Sequence, residues 1–202
     1  MGQFLARRIS GLAAAGALVV VLGSSGAIDA STQPQAPSTA FGPEDAPLTL
    51  TVFSDFACEP CAHFAVVLQG VIEARPDTVR VVFRHLPAAD SRGREAHVAS
   101  LAAAEQGRFA EFHNLAFANQ DRLTREDAVS MAAQLGLDVE RFARSLTNPA
   151  WTDVFARDRE EADARGVTQA PAVLLNGDAI PGPLTLTALI ERIDAARAAS
   201  AK

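Results

Sequence analysis

The two cysteines of this chain, Cys58 and Cys61, stand three residues apart, and no others occur in its 202 residues. Two thiols at that spacing can close a disulfide, exchange it with another thiol, or contribute half of a metal site. Their surroundings favour exchange. The segment Val52-Phe53-Ser54-Asp55-Phe56-Ala57-Cys58-Glu59-Pro60-Cys61-Ala62-His63-Phe64 lies between a short apolar run with the look of a strand, Leu48 to Phe53, and a stretch with helical periodicity. From Phe64 onward the apolar positions fall at Phe64, Val67, Leu68, Val71 and Ile72, a stripe that buries one face of a helix. Pro60 suits the first turn, where a missing N–H costs nothing. Cys58 is then expected at or beside the helix N-cap, its sulfur close to unpaired N–H groups and the positive end of the helix dipole. Both favour thiolate over thiol. Cys58 is accordingly the candidate nucleophile and Cys61, one turn further in and less exposed, the candidate resolving thiol.

A metal site is the competing use. Cys58, Cys61 and His63 are close in sequence, but five residues along a helix place His63 about 140° around the axis from Cys58. A closed zinc site also wants four ligands, and no second Cys-x-x-Cys or paired histidines occur. No metal is therefore expected. A structural disulfide is the other alternative, although a bridge spanning three residues gains little from loop closure. His85, His97 and His113 read as satisfied core or surface histidines, with His85-Leu86-Pro87 near the rim of the site. The acidic stretch from Asp158 to Asp163 reads as a solvated helix face.

The elements that position this pair follow from the pattern of the rest of the chain. After the cysteine helix, Arg75-Pro76-Asp77 breaks the periodicity and Val79 to Arg84 reads as a second strand. A strand, a helix and a strand in succession imply a right-handed parallel crossover. Roughly 80 residues follow without a comparable strand, at about 88–166, and carry one helical stripe after another. They include a capping-box pattern at Thr124 and Asp127 and helix stops at Gly136 and Gly166. This length exceeds what a crossover needs and predicts an inserted helical lobe. Ala172 to Leu175, Asn176-Gly177 and Asp178 to Ile180 then read as a hairpin with a type I′ turn. Thr185 caps a last helix with Leu186, Leu189, Ile190 and Ile193 on its buried face.

The segment Phe53-Ser54-Asp55-Phe56-Ala57-Cys58-Glu59-Pro60-Cys61, together with Val167-Thr168-Gln169-Ala170-Pro171-Ala172-Val173 before the third strand, resembles the thioredoxin-fold thiol:disulfide oxidoreductases, and most of all their DsbA-like branch. The resemblance in organisation covers about Gly42 to Ala199. It implies an α/β thioredoxin fold with the helical lobe inserted between the second and third strands. It also implies a cis-proline at Pro171 facing the cysteines, where the residues alone would make Pro171 a trans strand opener, with the backbone of Ala170 set to pair with an extended substrate segment. The redox group would be the Cys58–Cys61 disulfide itself, with no separate cofactor. Two departures from the family pattern bear on chemistry. Glu59-Pro60 stands where the strongest oxidants carry a proline and then a histidine, and the Glu59 charge opposes a nearby thiolate, which predicts an oxidant of intermediate strength. Val52 stands where many relatives bury a carboxylate that handles the proton of the resolving thiol, which leaves Asp55 as the nearest acid and a candidate for tuning the site.

Length and charge bound the remainder. At 202 residues and a formal net charge of −6, one domain is expected and nucleic acid is not an expected partner. Arg7-Arg8, the apolar run Ile9 to Leu22 and the small residues Ser25-Gly26-Ala27 read as a secretory signal over 1–28, or as an uncleaved N-terminal anchor. Residues 29–41 read as a flexible tether and 42–202 as the domain. The expected role is an extracytoplasmic, monomeric oxidoreductase acting on cysteine-containing exported proteins and serviced by a membrane-bound or soluble redox partner. A reductase or isomerase is the first alternative, although residues 29–47 are too short and polar for the N-terminal dimerisation domain of dimeric isomerases. A non-catalytic exported module is the second.

Overall fold

The computed structural model describes residues 36–89 and 91–200, and the expected signal or anchor lies outside them. Five strands form one sheet in the order β1-β3-β2-β4-β5. The central strand β2, Leu48–Ser54, runs parallel to β3, Val79–His85, with Leu48 opposite Val79 and Ser54 opposite His85. On its other side β2 pairs antiparallel with β4, Ala172–Leu175, so that Leu50 faces Leu175 and Phe53 faces Ala172. Both strands expected before the lobe are thus found, each one residue longer than its apolar run.

At one edge, β1, Ala40–Phe41, pairs antiparallel with β3. The Thr39 hydroxyl donates to the Phe83 carbonyl at 2.9 Å, and the Phe83 N–H donates to the Thr39 carbonyl at the same distance. Ala40 and Phe41, the last residues of the expected tether, thus form an edge strand of the sheet. Two residues carry no period of their own, and what holds them is the open edge of β3 together with the packing of Phe41 against Phe109 and His113. At the other edge β5, Asp178–Ala179, closes a hairpin on β4 through Asn176 and Gly177, whose φ values of 52° and 93° are those of the type I′ turn.

One face of the sheet is covered by α1, Glu59–Ala74, and α7, Leu186–Ser200. Phe64, Leu68 and Val71 from α1 and Leu189 and Ile193 from α7 pack on Leu48, Leu50 and Val52 in one buried cluster. The lobe comprises α2, Arg94–Ala104; α3, Phe109–Ala118; α4, Arg125–Gln134; α5, Val139–Ser145; and α6, Trp151–Ala164. The capping box forms as expected: the Thr124 side chain accepts from the Asp127 N–H, and Asp127 accepts from the Thr124 N–H. Asp138 caps α5 by accepting from the Arg141 N–H. Buried alanines run along α2, and these small side chains let it pack closely with α3, α4 and α5. The same cluster takes in Phe56 and Cys61. The redox pair thus sits where the lobe meets the sheet.

Candidate active site

Cys58 is the N-cap residue of α1, with extended backbone geometry, and Pro60 lies in the first turn. Its Sγ accepts the N–H of Cys61 at 3.2 Å. Cys58 and Cys61 are disulfide-bonded, with their Cα atoms 5.2 Å apart. Cys58 is half-buried, Glu59 and Pro60 are exposed, and Cys61 is only 1 % exposed. The asymmetry expected from one helical turn is present. Facing the pair, the peptide bond Ala170–Pro171 is cis, and the Ala170 carbonyl oxygen lies 3.8 Å from the Cys58 Sγ. His63 is exposed on α1, and among the described residues no three His, Cys, Asp or Glu side chains gather as a metal site.

Asp55 is not a solvated loop residue. It is buried, and its carboxylate accepts four bonds: from the Ala57 N–H at 3.0 Å, the Ser91 hydroxyl at 3.0 Å, the Ala88 N–H at 3.1 Å and His97 Nε2 at 3.2 Å. Burial alone would raise its pKa, but the bonds from His97, Ala57 and Ala88 outweigh it and hold the carboxyl at about 2. The backbone carbonyl of Asp55 also receives the Cys58 N–H at 3.1 Å. Asp55 thereby fixes the turn that delivers Cys58. Gly93 leaves room for this arrangement, since a Cβ there would come within 2.8 Å of the Asp55 carboxylate and 2.9 Å of the Ala57 nitrogen.

Behind Asp55 lies a chain of buried imidazoles. His97 Nδ1 and His85 Nδ1 are 2.8 Å apart. Burial lowers the pKa of both, more than the Asp55 bond restores for His97, so both are neutral at pH 7. His97 Nε2 lies 3.2 Å from the Asp55 carboxylate and 3.4 Å from the Phe56 backbone nitrogen, and the shorter, charge-assisted contact with a group that can only accept assigns the proton to Nε2, from which His97 donates to Asp55. Its Nδ1 then accepts from His85 Nδ1–H. His85 Nε2 is left as a bare acceptor with no partner among the described residues. The sequence reading of both as satisfied core histidines therefore fails at His85 Nε2, and neither is an isolated residue. They form one polar thread between the β3 terminus and the active-site turn.

Asp158 anchors the far end of that thread by accepting the His85 backbone N–H at 2.7 Å. The acidic stretch on α6 is thus not wholly solvated, because Asp158 is 7 % exposed and Ala162 is fully buried. Burial pushes the Asp158 carboxyl up to about 6, against the opposing pull of the His85 N–H and Arg84. A raised carboxyl favours the fold below the unfolded value near 3.8, and this advantage is lost as pH rises through about 6. Asp158→Asn keeps an acceptor for His85, and Arg84 retains Glu161 at 2.6 Å. It is expected to gain about 1–3 kcal/mol at pH 8 and nothing at pH 4, as read from urea midpoints; a loss at pH 8 would mean that the Arg84 ion pair outweighs burial.

A residue that the sequence reading did not single out reaches the same turn from the lobe. Gln120, in the connection between α3 and α4, donates its side-chain amide to the carbonyls of Phe56 at 2.7 Å and Cys58 at 2.9 Å. Nothing in its neighbourhood in sequence marks it, since its partners are 62 and 64 residues away.

A family model described as thioredoxin matches residues 35–195. The chain belongs to the thioredoxin family. Its structure is similar to that of a thioredoxin-like oxidoreductase from Silicibacter pomeroyi DSS-3, with a TM-score of 0.71 and 28% identity over 82% of this chain and 94% of that one. It shares its fold with the thiol-disulfide exchange protein alpha-DsbA2 from Wolbachia pipientis, with a TM-score of 0.70 and 19% identity over 78% and 86% of the two chains. The thioredoxin fold with an inserted helical lobe is therefore the fold observed. Within that fold the Cys58–Cys61 disulfide stands where β2 feeds α1, with a cis-proline facing it. In sequence it is also 40% identical over 153 residues to a Na(+)/H(+) antiporter of Herminiimonas arsenicoxydans, a stretch that is 74% of this chain and 24% of the antiporter. The chain spans about a quarter of the length of the curated relatives it matches. Among the described residues no helix is long and apolar enough to cross a membrane.

Proposed function

We propose that this thioredoxin-family protein is an exported thiol:disulfide oxidoreductase that oxidises cysteine-containing extracytoplasmic proteins, with Cys58 as the attacked sulfur, Cys61 as its partner and an oxidising strength between those of thioredoxin and DsbA. The observation that carries the reading is the unequal placement of the two sulfurs: Cys58 half-buried at a helix N-cap beside the Ala170 carbonyl, Cys61 buried behind it. A substrate thiolate attacks the Cys58 sulfur, the Cys58–Cys61 bond breaks, and Cys61 departs as a thiolate. A second substrate thiolate then attacks the substrate sulfur of the mixed disulfide and releases Cys58. Two electrons pass from the substrate thiols to the cysteine pair, and a separate redox partner removes them. No group beyond the disulfide enters the exchange.

Several features support intermediate strength. The Cys61 N–H and the N-terminus of α1 stabilise a Cys58 thiolate, and with it the reduced enzyme. The exposed Glu59 charge and the ionised Asp55 oppose it. Export is supported by the signal-like composition of residues 1–28. Ala170 and Pro171 would present backbone to an extended substrate, with little side-chain selectivity at Ala170.

The test is the reduction potential of the couple at equilibrium with glutathione. The expected value lies between about −270 mV, the poise of thioredoxin, and about −120 mV, that of DsbA. A value at or below that of thioredoxin would make the protein a reductant, and the absence of any reversible couple would leave a structural bridge.

A further inference from the structure

The helical lobe reaches the turn that carries Cys58 through His97, at Asp55, and through Gln120, at two backbone carbonyls. The Gln120 nitrogen donates to two carbonyl oxygens, those of Phe56 and Cys58, which flank Ala57. The Cys58 carbonyl already accepts the N–H groups of Cys61 at 3.1 Å and Ala62 at 3.2 Å as the helix begins. The Phe56 carbonyl has no other donor among those described. Gln120 itself sits in a tight connection, where the Arg122 N–H bonds the Asn119 carbonyl at 2.8 Å and Asn119 Nδ2 bonds the Leu115 carbonyl at 2.8 Å. The clamp is therefore fixed at both ends.

We propose that Gln120 is a positioning residue for the redox couple, through which the inserted lobe stabilises the Cys58 thiolate. Two effects act in the same direction. Without Gln120 the Phe56 carbonyl, two residues from Cys58, would lack a donor, and its unscreened negative end would disfavour a thiolate nearby; the Cys58 carbonyl keeps its helical donors in either case. Tying Phe56 to Cys58 across Ala57 also holds Cys58 in its extended N-cap conformation, where its sulfur receives the Cys61 N–H at 3.2 Å. Gln120 touches neither sulfur and transfers nothing. Its influence passes through the backbone of the turn.

The inference rests on Cys58 being the attacked sulfur, and the experiment separates the two. The glutathione equilibrium and the Cys58 thiolate titration, followed by absorbance near 240 nm, are measured on the full chain for wild type, Gln120→Ala and Gln120→Glu. Both substitutions remove the amide donor, and the second preserves the shape of the side chain. Each is expected to raise the Cys58 pKa by about one unit. Each should also make the couple roughly tenfold less oxidising against glutathione, a change of about 30 mV. Should the alanine variant fail to fold, Gln120→Met, which keeps the length of the side chain with neither donor nor charge, takes its place. Unchanged pKa and potential in both variants, beside a normal wild-type couple, would overturn the role of Gln120 even if thermal stability fell. A shift in Gln120→Glu alone would overturn it too, as a mere effect of added charge. A wild-type protein with no reversible couple would overturn the function on which the inference rests.

Discussion

Cys58→Ser is expected to bring disulfide exchange down to the uncatalysed background, whereas Cys61→Ala is expected to accumulate a mixed disulfide between Cys58 and its substrate. The difference follows from access and electrostatics. Cys58 is half-buried at the N-cap with an N–H on its sulfur, while Cys61 is 1 % exposed inside the cluster that joins α1 to the lobe. A substrate sulfur reaches the first and not the second. A thiol buried among apolar groups, without a helix N-terminus of its own, also ionises reluctantly. The measurement is refolding of a reduced, cysteine-containing test protein with oxidised glutathione as the electron acceptor, which first charges Cys58 of the Cys61→Ala variant as a glutathione mixed disulfide; attack by the substrate thiolate then releases glutathione, and non-reducing electrophoresis displays the trapped adduct. Neither change should cost much of the fold, because a bridge spanning three residues closes almost no loop. Equal trapping in Cys58→Ser and Cys61→Ala would show that either sulfur can be attacked and would remove the basis for assigning them separate roles.

What the sequence disclosed and what it withheld divide along the range of the interactions. The strands Leu48–Ser54 and Val79–His85, the cap at Thr124, the Asn176-Gly177 turn and the N-cap position of Cys58 are each specified by neighbours within a few residues, and each is found. The supports of the active-site turn are specified by none. Asp55 meets His97 across 42 positions and Ser91 across 36, and Gln120 meets Phe56 across 64. Asp158 lies within a run of charges, and only its place on α6 against β3 turns it inward to cap His85. β1 escaped notice for a related reason, since its two residues are held by the edge of β3 and by Phe109 and His113, all distant in sequence. Local chemistry thus located the sulfurs, and only the folded chain revealed what holds them in place.

That hidden support makes the fold sensitive to acid well above the range where ordinary carboxylates titrate. His113 is buried against Phe56, Phe83 and Phe117, and burial lowers its pKa to about 4, more than its bond to Asn114 restores. His85 and His97 are lowered by burial as well. In the unfolded chain each imidazole takes up a proton near pH 6.5. A base whose folded pKa is depressed contributes stability that is complete above 6.5 and is lost as pH falls towards the folded value. For His113 alone the loss by pH 4 is about 3 kcal/mol, and the other two add to it in the same direction. Asp158 acts with the opposite sign, becoming more favourable as pH falls from about 6 to 3.8, but it is one group against three. Asp55, held at about 2, contributes its own loss only below about pH 4. The urea midpoint is therefore expected to fall steeply between pH 6.5 and pH 4, and His113→Leu to flatten that fall whatever it does to stability at pH 8. A midpoint that rises on acidification through pH 6 would mean that Asp158 outweighs the histidines, and that the imidazoles bind protons within the fold as readily as outside it.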